Sequence, residues 1–151
     1  MTDNRPTAQA TADEAEIRAL IAAWSKALEA KDAAGLVADY APETLLYDVK
    51  PPYKIARPDA IRKMWEACLP YFPDRFTSEH RDLVLTVGTD LAIMHALHAI
   101  HPVGTDHPAA DMWIRVTACY RKTGGRWRVV HEHVSVPFDP TTGKVVHIRE
   151  P

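Results

Sequence analysis

Two cysteines, a nearly neutral charge balance and the lack of any long apolar run limit what this chain of 151 residues can be. Cys68 and Cys119 are isolated and neither sits in a CxxC arrangement, which argues against a disulfide scaffold and against a cysteine zinc site. They read as reduced, buried thiols. No stretch approaches the roughly 18 apolar residues of a membrane span, and "MTDNRPTAQATADEAE" at the start lacks the apolar core of a secretory signal, so a cytoplasmic protein is expected. With 18 basic and 20 acidic residues, net charge -2 and no basic run, the chain has no electrostatic footprint for nucleic acid or an anionic membrane. The partners expected instead are a hydrophobic or anionic small molecule and a second copy of the chain. The length suits one domain that buries roughly 70% of its unfolded surface around a single core.

Residues 1–10 are small, polar and unpatterned and are expected to form a disordered tail, leaving 11–151 as the domain. Thr11 to Glu14 has capping-box spacing, and Ile17, Leu20, Ile21, Trp24 and Leu28 behind it recur at the three- and four-residue steps of an amphipathic helix that runs to about Lys31. "DAAGLVADYAPE" reads as a short second helix, with Asp32 as its cap and Pro42 as its stop. "TLLYDV" is a strand closed by Pro51 and Pro52. Pro58 opens a third helix, with Ile61, Met64, Trp65, Cys68 and Leu69 as its stripe. Strands follow: "FTSEHRDLVLTV", "LAIMHALHAIH", "DMWIRVTACYRK" and "RWRVVHEHVSV". Helices first and an antiparallel meander after them imply an α+β fold.

Eight histidines invite a metal reading. His95, His98 and His101 step by three on a strand, so the outer two face away from the middle one. His131 and His133 share a face, yet no third or fourth ligand stands at a recognisable spacing. Neither a metal nor a cofactor is expected. The Gly124-Gly125 turn allows a register for the last hairpin: a two-residue loop sets Thr123 against Arg126 and Thr117 against Glu132. Trp113, Arg115, Thr117, Cys119, Val130, Glu132 and Val134 then share one face; Ile114, Val116, Ala118, Tyr120, Val129, His131 and His133 share the other. A sheet with apolar residues on both sides needs cover on both, from helices on one and a partner subunit on the other.

"WSKALEAKDAAGLVADYAPETLLYDV", "ARPDAIRKMW" and "RWRVVHEHVS" resemble the opening helices and first strand, the third helix and the closing strand of the SnoaL-like and ketosteroid-isomerase-like group of the nuclear transport factor 2-like superfamily. The closing strand is also similar to that of the calcium/calmodulin-dependent kinase association domain. The resemblance implies a single SnoaL-like domain: a cone-shaped, strongly curved mixed or antiparallel sheet packed against three N-terminal helices. It places the steroid isomerase's general base on Asp48, its oxyanion-hole tyrosine on Trp24 and its protonated aspartic acid on Thr117. With both donors replaced, true steroid isomerase activity is not expected.

The same resemblance turns Thr117 inward, with His95, Leu97 and Ala99 beside it and His98 outward. The expected site is therefore Asp48 as base and His95 as proton shuttle, with Trp24, Met64, Trp65, Trp113, Arg115, Thr117 and Glu132 as ligand-binding residues. Arg115 would neutralise Glu132, and His131 and His133 would face the second subunit of a homodimer. Two functions stay open: proton transfer next to a carbonyl (isomerase, cyclase or dehydratase type), or a non-catalytic ligand-binding or oligomerisation domain in which Arg115 holds an anion.

Overall fold

A computed structural model describes residues 8–110 and 112–151. Helix α1 (Ala8–Glu29) starts earlier than the capping-box reading: Ala8 to Ala10 are already helical, and Gln9 donates to Asp13 at 3.0 Å. Residues 8–10 of the expected tail are thus helical, and residues 1–7 lie outside the described residues. Ile17 and Leu28 are wholly buried along α1, each worth roughly 1.5–3 kcal/mol of transfer free energy. One end of α1 is tied down by an ion pair between Asp13 and Lys122 at 2.7 Å and by the backbone N–H of Trp127 donating to the Glu16 carboxylate at 3.1 Å. The other end is tied by the Ser78 N–H donating to Glu29 at 2.7 Å.

Helix α2 (Ala33–Leu36) is a single turn, capped as expected by Asp32, whose carboxylate accepts from the Gly35 N–H at 2.9 Å. Pro42 does not end it. The chain is already extended in β1 (Tyr40–Tyr47), and Pro42 sits in an irregular stretch where β1 gains residues against its neighbour. Thr44, fully buried, spans that irregularity with its hydroxyl 2.7 Å from the carbonyls of both Ala41 and Val129. A short β2 (Ile55–Ala56) pairs back on β1, and α3 (Pro58–Cys68) follows with its proline in the first turn, as expected. A 3-10 turn over Leu69–Tyr71 ends it.

The remaining chain forms β3 (Phe76–Val87), β4 (Leu91–Pro102), β5 (Ile114–Thr123) and β6 (Arg126–Ser135), all antiparallel in sequence; β7 (Phe138–Asp139) and β8 (Lys144–Val145) form a small separate hairpin. The main sheet runs β2-β1-β6-β5-β4-β3, with β1 parallel to β6. It is the mixed, curved sheet the sequence implied, with the helices packed on its concave side. Bulges bend it: one in β3, where Asp82 takes a left-handed φ of 54°, one in β1, and one between β5 and β6. Among the described residues no helix is long and apolar enough to cross a membrane.

The bulge in β6 decides which side chains meet the interior. The turn pairs Thr123 with Arg126 as expected, and Tyr120 pairs with Val129. Cys119 then pairs with His131, so Val130 is the extra residue and the register slips by one. Glu132 therefore stands opposite Ala118, and Thr117 opposite His133. Val116, Ala118 and Tyr120 are buried, whereas Arg115 is exposed and Thr117 only half-buried. The inner face of β5 is the apolar one, the reverse of the expected assignment.

Candidate functional site

Between the concave sheet and the helices lies one cavity of about 460 Å³, of a size that holds a drug-sized molecule. α1 supplies Trp24 to its wall, α3 supplies Met64 and Trp65, and β4, β5 and β6 supply Met94, Tyr120 and Val129. Trp24 and Trp65 meet edge to face, ring centroids 6.1 Å apart. Their positions follow from the helical stripes read in the sequence, and all three expected helix residues, Trp24, Met64 and Trp65, line the cavity.

Three acidic residues line it, Asp39, Asp48 and Glu132. Asp48 follows Leu46 by two residues and shares its face; the side chain is only 10% exposed. It sits by the opening, ion-paired to Lys50 at 3.3 Å and accepting from the Val49 N–H at 2.7 Å. Glu132 lies deeper, and the hydroxyl of Tyr40 donates to its Oε2. Burial, helped by the Asp48 charge, pushes the Glu132 carboxyl up to about 7 against the opposing pull of the Tyr40 hydrogen bond. Burial and the Glu132 charge hold the Tyr40 hydroxyl well above its ordinary value, so it keeps its proton. The Trp24 indole N–H lies close enough to favour the ionised tyrosine, yet it meets no partner in hydrogen-bond geometry among the described residues. A carboxyl that is half protonated near neutral pH, held by one donor in an apolar pocket, is equipped both to take and to return a proton.

Four expected members lie elsewhere. His95 pairs with Thr117 and Val84 on the convex face and is exposed; parity on β4 puts Met94 and His98 inside instead. Arg115 is exposed on the same convex face, so Tyr40, not Arg115, satisfies Glu132. Thr117 faces away from the cavity and supplies no donor to it. Trp113 is buried outside it, under the Arg81 guanidinium at 4.1 Å, with its backbone N–H donating to the Ile148 carbonyl at 2.9 Å. These errors share a cause: the family resemblance turned Thr117 inward, overriding the pattern of β5, where Ile114, Val116, Ala118 and Tyr120 are the apolar alternates.

Glu132 nonetheless faces the cavity, and His131 and His133 face out. The inverted face and the unforeseen bulge cancel. His131 donates from Nδ1 to the Leu45 carbonyl at 2.8 Å, and the Tyr47 ring touches both imidazoles at 5.0 and 5.6 Å. Among the described residues no group of three or more histidine, cysteine, aspartate or glutamate side chains is placed to hold a metal. Tyr40 and His98 were missed by sequence reasoning. Tyr40 was hidden in the expected second helix; His98 could have been found from the buried alternates Ala92, Met94 and Ala96 that precede it.

A protein-family model described as SnoaL-like domain matches residues 17–139. Among solved structures, the chain is similar to a nuclear transport factor 2-like protein of unknown function from Pseudomonas putida: 34% identity, 93% of this chain and 98% of that one covered, TM-score 0.85. A candidate dehydratase of the same superfamily from Streptomyces avermitilis is 15% identical over 85% of this chain and 99% of that one, with a TM-score of 0.71. A candidate calcium/calmodulin-dependent protein kinase II association domain from Xanthomonas campestris is 21% identical over 80% and 84%, with a TM-score of 0.66. A search of curated protein sequences gives no significant match.

Proposed function

Since the chain belongs to the SnoaL-like family of the nuclear transport factor 2-like superfamily, we propose that it is an enzyme that binds an apolar small molecule and moves a proton next to a carbonyl, in the manner of an isomerase, cyclase or dehydratase. The observation that carries this is the buried Glu132 carboxyl, poised at about 7 beneath the Tyr40 hydroxyl. Glu132 takes the proton-transfer role in preference to Asp48, whose charge is already engaged by Lys50 and the Val49 N–H. Asp48 acts on Glu132 through space, keeping it basic. Two relatives of low identity are described as candidate dehydratases, which agrees with this reaction class.

The non-catalytic reading loses its main support, because Arg115, the cation that was to hold an anionic ligand, is on the convex face. That face carries Tyr47, Val84 and Ile93, each about 40–50% exposed, among His95, Thr117 and His133. It is a mixed, uncharged-centred surface that suits a second copy of the chain, and we assign the homodimer contact to it.

The test needs no known substrate. Bulky cyclic ketones are incubated with the protein in heavy water, and exchange of the hydrogens next to the carbonyl is followed by NMR. Exchange well above the buffer rate is expected, with a loss of roughly 10²–10⁴-fold in Glu132→Gln. Exchange no faster than in buffer across the ketone panel, or full exchange in the glutamine variant, overturns the reading.

A further inference from the structure

Two imidazoles take no part in the chemistry above. His80 on β3 and His98 on β4 are partners across the sheet, ring centroids 4.8 Å apart, and both line the cavity. His98 is 6% exposed. The edge-on Trp24 ring packs against both, at 5.4 Å from His98 and 5.9 Å from His80, and fixes their orientation.

A chain of hydroxyls joins the two rings. Ser78 Oγ lies 2.9 Å from His98 Nε2 and donates to Ser25 Oγ at 3.3 Å; Ser25 Oγ lies 3.5 Å from His80 Nδ1. The far end of this chain, at Ser25, Ser78 and His80, opens on a separate surface cleft beside Arg18. A serine has one proton to give, so when Ser78 donates to Ser25 its oxygen is left to accept the Nε2–H of His98. Burial and the neighbouring imidazoles hold His98 down to about 3, so the ring is neutral at ordinary pH. A neutral ring protonated on Nε2 carries a lone pair on Nδ1, and that nitrogen has no partner among the described residues.

We propose that Ser78 holds His98 in its Nε2–H form and that His98 is thereby a specificity residue of the cavity, its Nδ1 accepting a hydrogen bond from a hydroxyl group on an otherwise apolar ring ligand. A buried acceptor set in apolar walls rewards a ligand that brings a donor and penalises the same ligand without one. The Ser78–Ser25–His80 chain keeps the acceptor aimed and stops the ring from switching to the tautomer that would reject a hydroxyl. The inference rests on the reading of the cavity as a ligand site and does not require proton transfer by Glu132.

Naphthol and its methyl ether, two ring probes that differ in the donor and by one methyl group, test it. Wild type should bind naphthol about tenfold more tightly than the ether. Naphthol, and not the ether, should shift the ¹⁵N resonance of His98 Nδ1. His98→Phe should bind both probes equally, and Ser78→Ala, which keeps the imidazole but frees its tautomer, should lose most of the preference. Equal binding of the two probes by wild type, no binding of naphthol, or naphthol binding that leaves the Nδ1 resonance unmoved overturns the proposal. Should His98→Phe not fold, the wild-type ¹⁵N titration decides alone. A retained hydroxyl preference without hydrogen exchange in ketones would sink the proton-transfer reading and leave this one standing.

Discussion

Glu132→Gln should remove a specific slope from the protein's stability against pH. The unfolded chain ionises this carboxyl near 4.5, the folded one at about 7. Between those values the native state holds a proton that the unfolded chain has released, so stability falls as pH rises, and above 7 the whole penalty is present. At about 1.4 kcal/mol per pH unit of difference, the ionised native state is destabilised by about 3 kcal/mol. Glutamine keeps the shape and the acceptor for Tyr40 and has nothing to titrate. Urea unfolding followed by circular dichroism from pH 4 to pH 9 gives the free energies of both proteins, and the quantity of interest is their difference. His98, held down to about 3, contributes the opposite trend, stability gained as pH rises toward its unfolded value of 6.5, but does so in both proteins and cancels. The glutamine variant should therefore gain about 3 kcal/mol on wild type between the two ends, most of it between pH 5 and 7. Parallel profiles would refute the claim that Glu132 is desolvated and with it the basis for a proton-transfer role.

Tyr40→Phe removes the hydrogen bond that favours the Glu132 carboxylate, so the Glu132 titration followed by ¹³C NMR should move above its wild-type midpoint; an unchanged or lower midpoint would contradict the arrangement of the pair. On the convex face, Tyr47→Lys should convert a dimer at micromolar concentration into a monomer of 16.9 kDa by sedimentation, while His95→Ala and Arg115→Ala leave naphthol affinity within a few-fold. A wild-type monomer, or naphthol binding lost in either alanine variant, would overturn the assignment of that face.

The helical half of the molecule was legible because its signals are local. Trp24, Met64 and Trp65 sit on stripes whose period fixes their side, and Asp32 and Pro58 mark helix starts by their own chemistry. The strands were legible as strands, but the side on which each residue stands depends on non-local pairing and on bulges, which carry no strong mark of their own. With the pairing unmarked, the resemblance set the side, and it misplaced His95, Arg115, Thr117 and Trp113. The pattern of β5 held better information than the analogy: Val116, Ala118 and Tyr120 could only be the covered side, since Arg115 and Arg121 flank the other. Tyr40 was out of reach because a proline two residues later reads more naturally as a helix stop than as part of a distorted strand.

The single unpaired residue at Val130 also changes how relatives of this protein have to be compared. Val129 and Glu132 look into the same cavity although they stand three positions apart, an odd spacing that a regular strand forbids. In a relative that lacks the extra residue, the equivalent interior acid would stand two positions after the valine, and an acid at three would be on the outer surface. Counting the spacing between the stretch equivalent to Trp127–Val129 and the acid would therefore sort family members into those that carry an internal carboxyl at this point and those that do not. A shift of one position in an alignment, trivial in most loops, would exchange a reacting group for a surface charge.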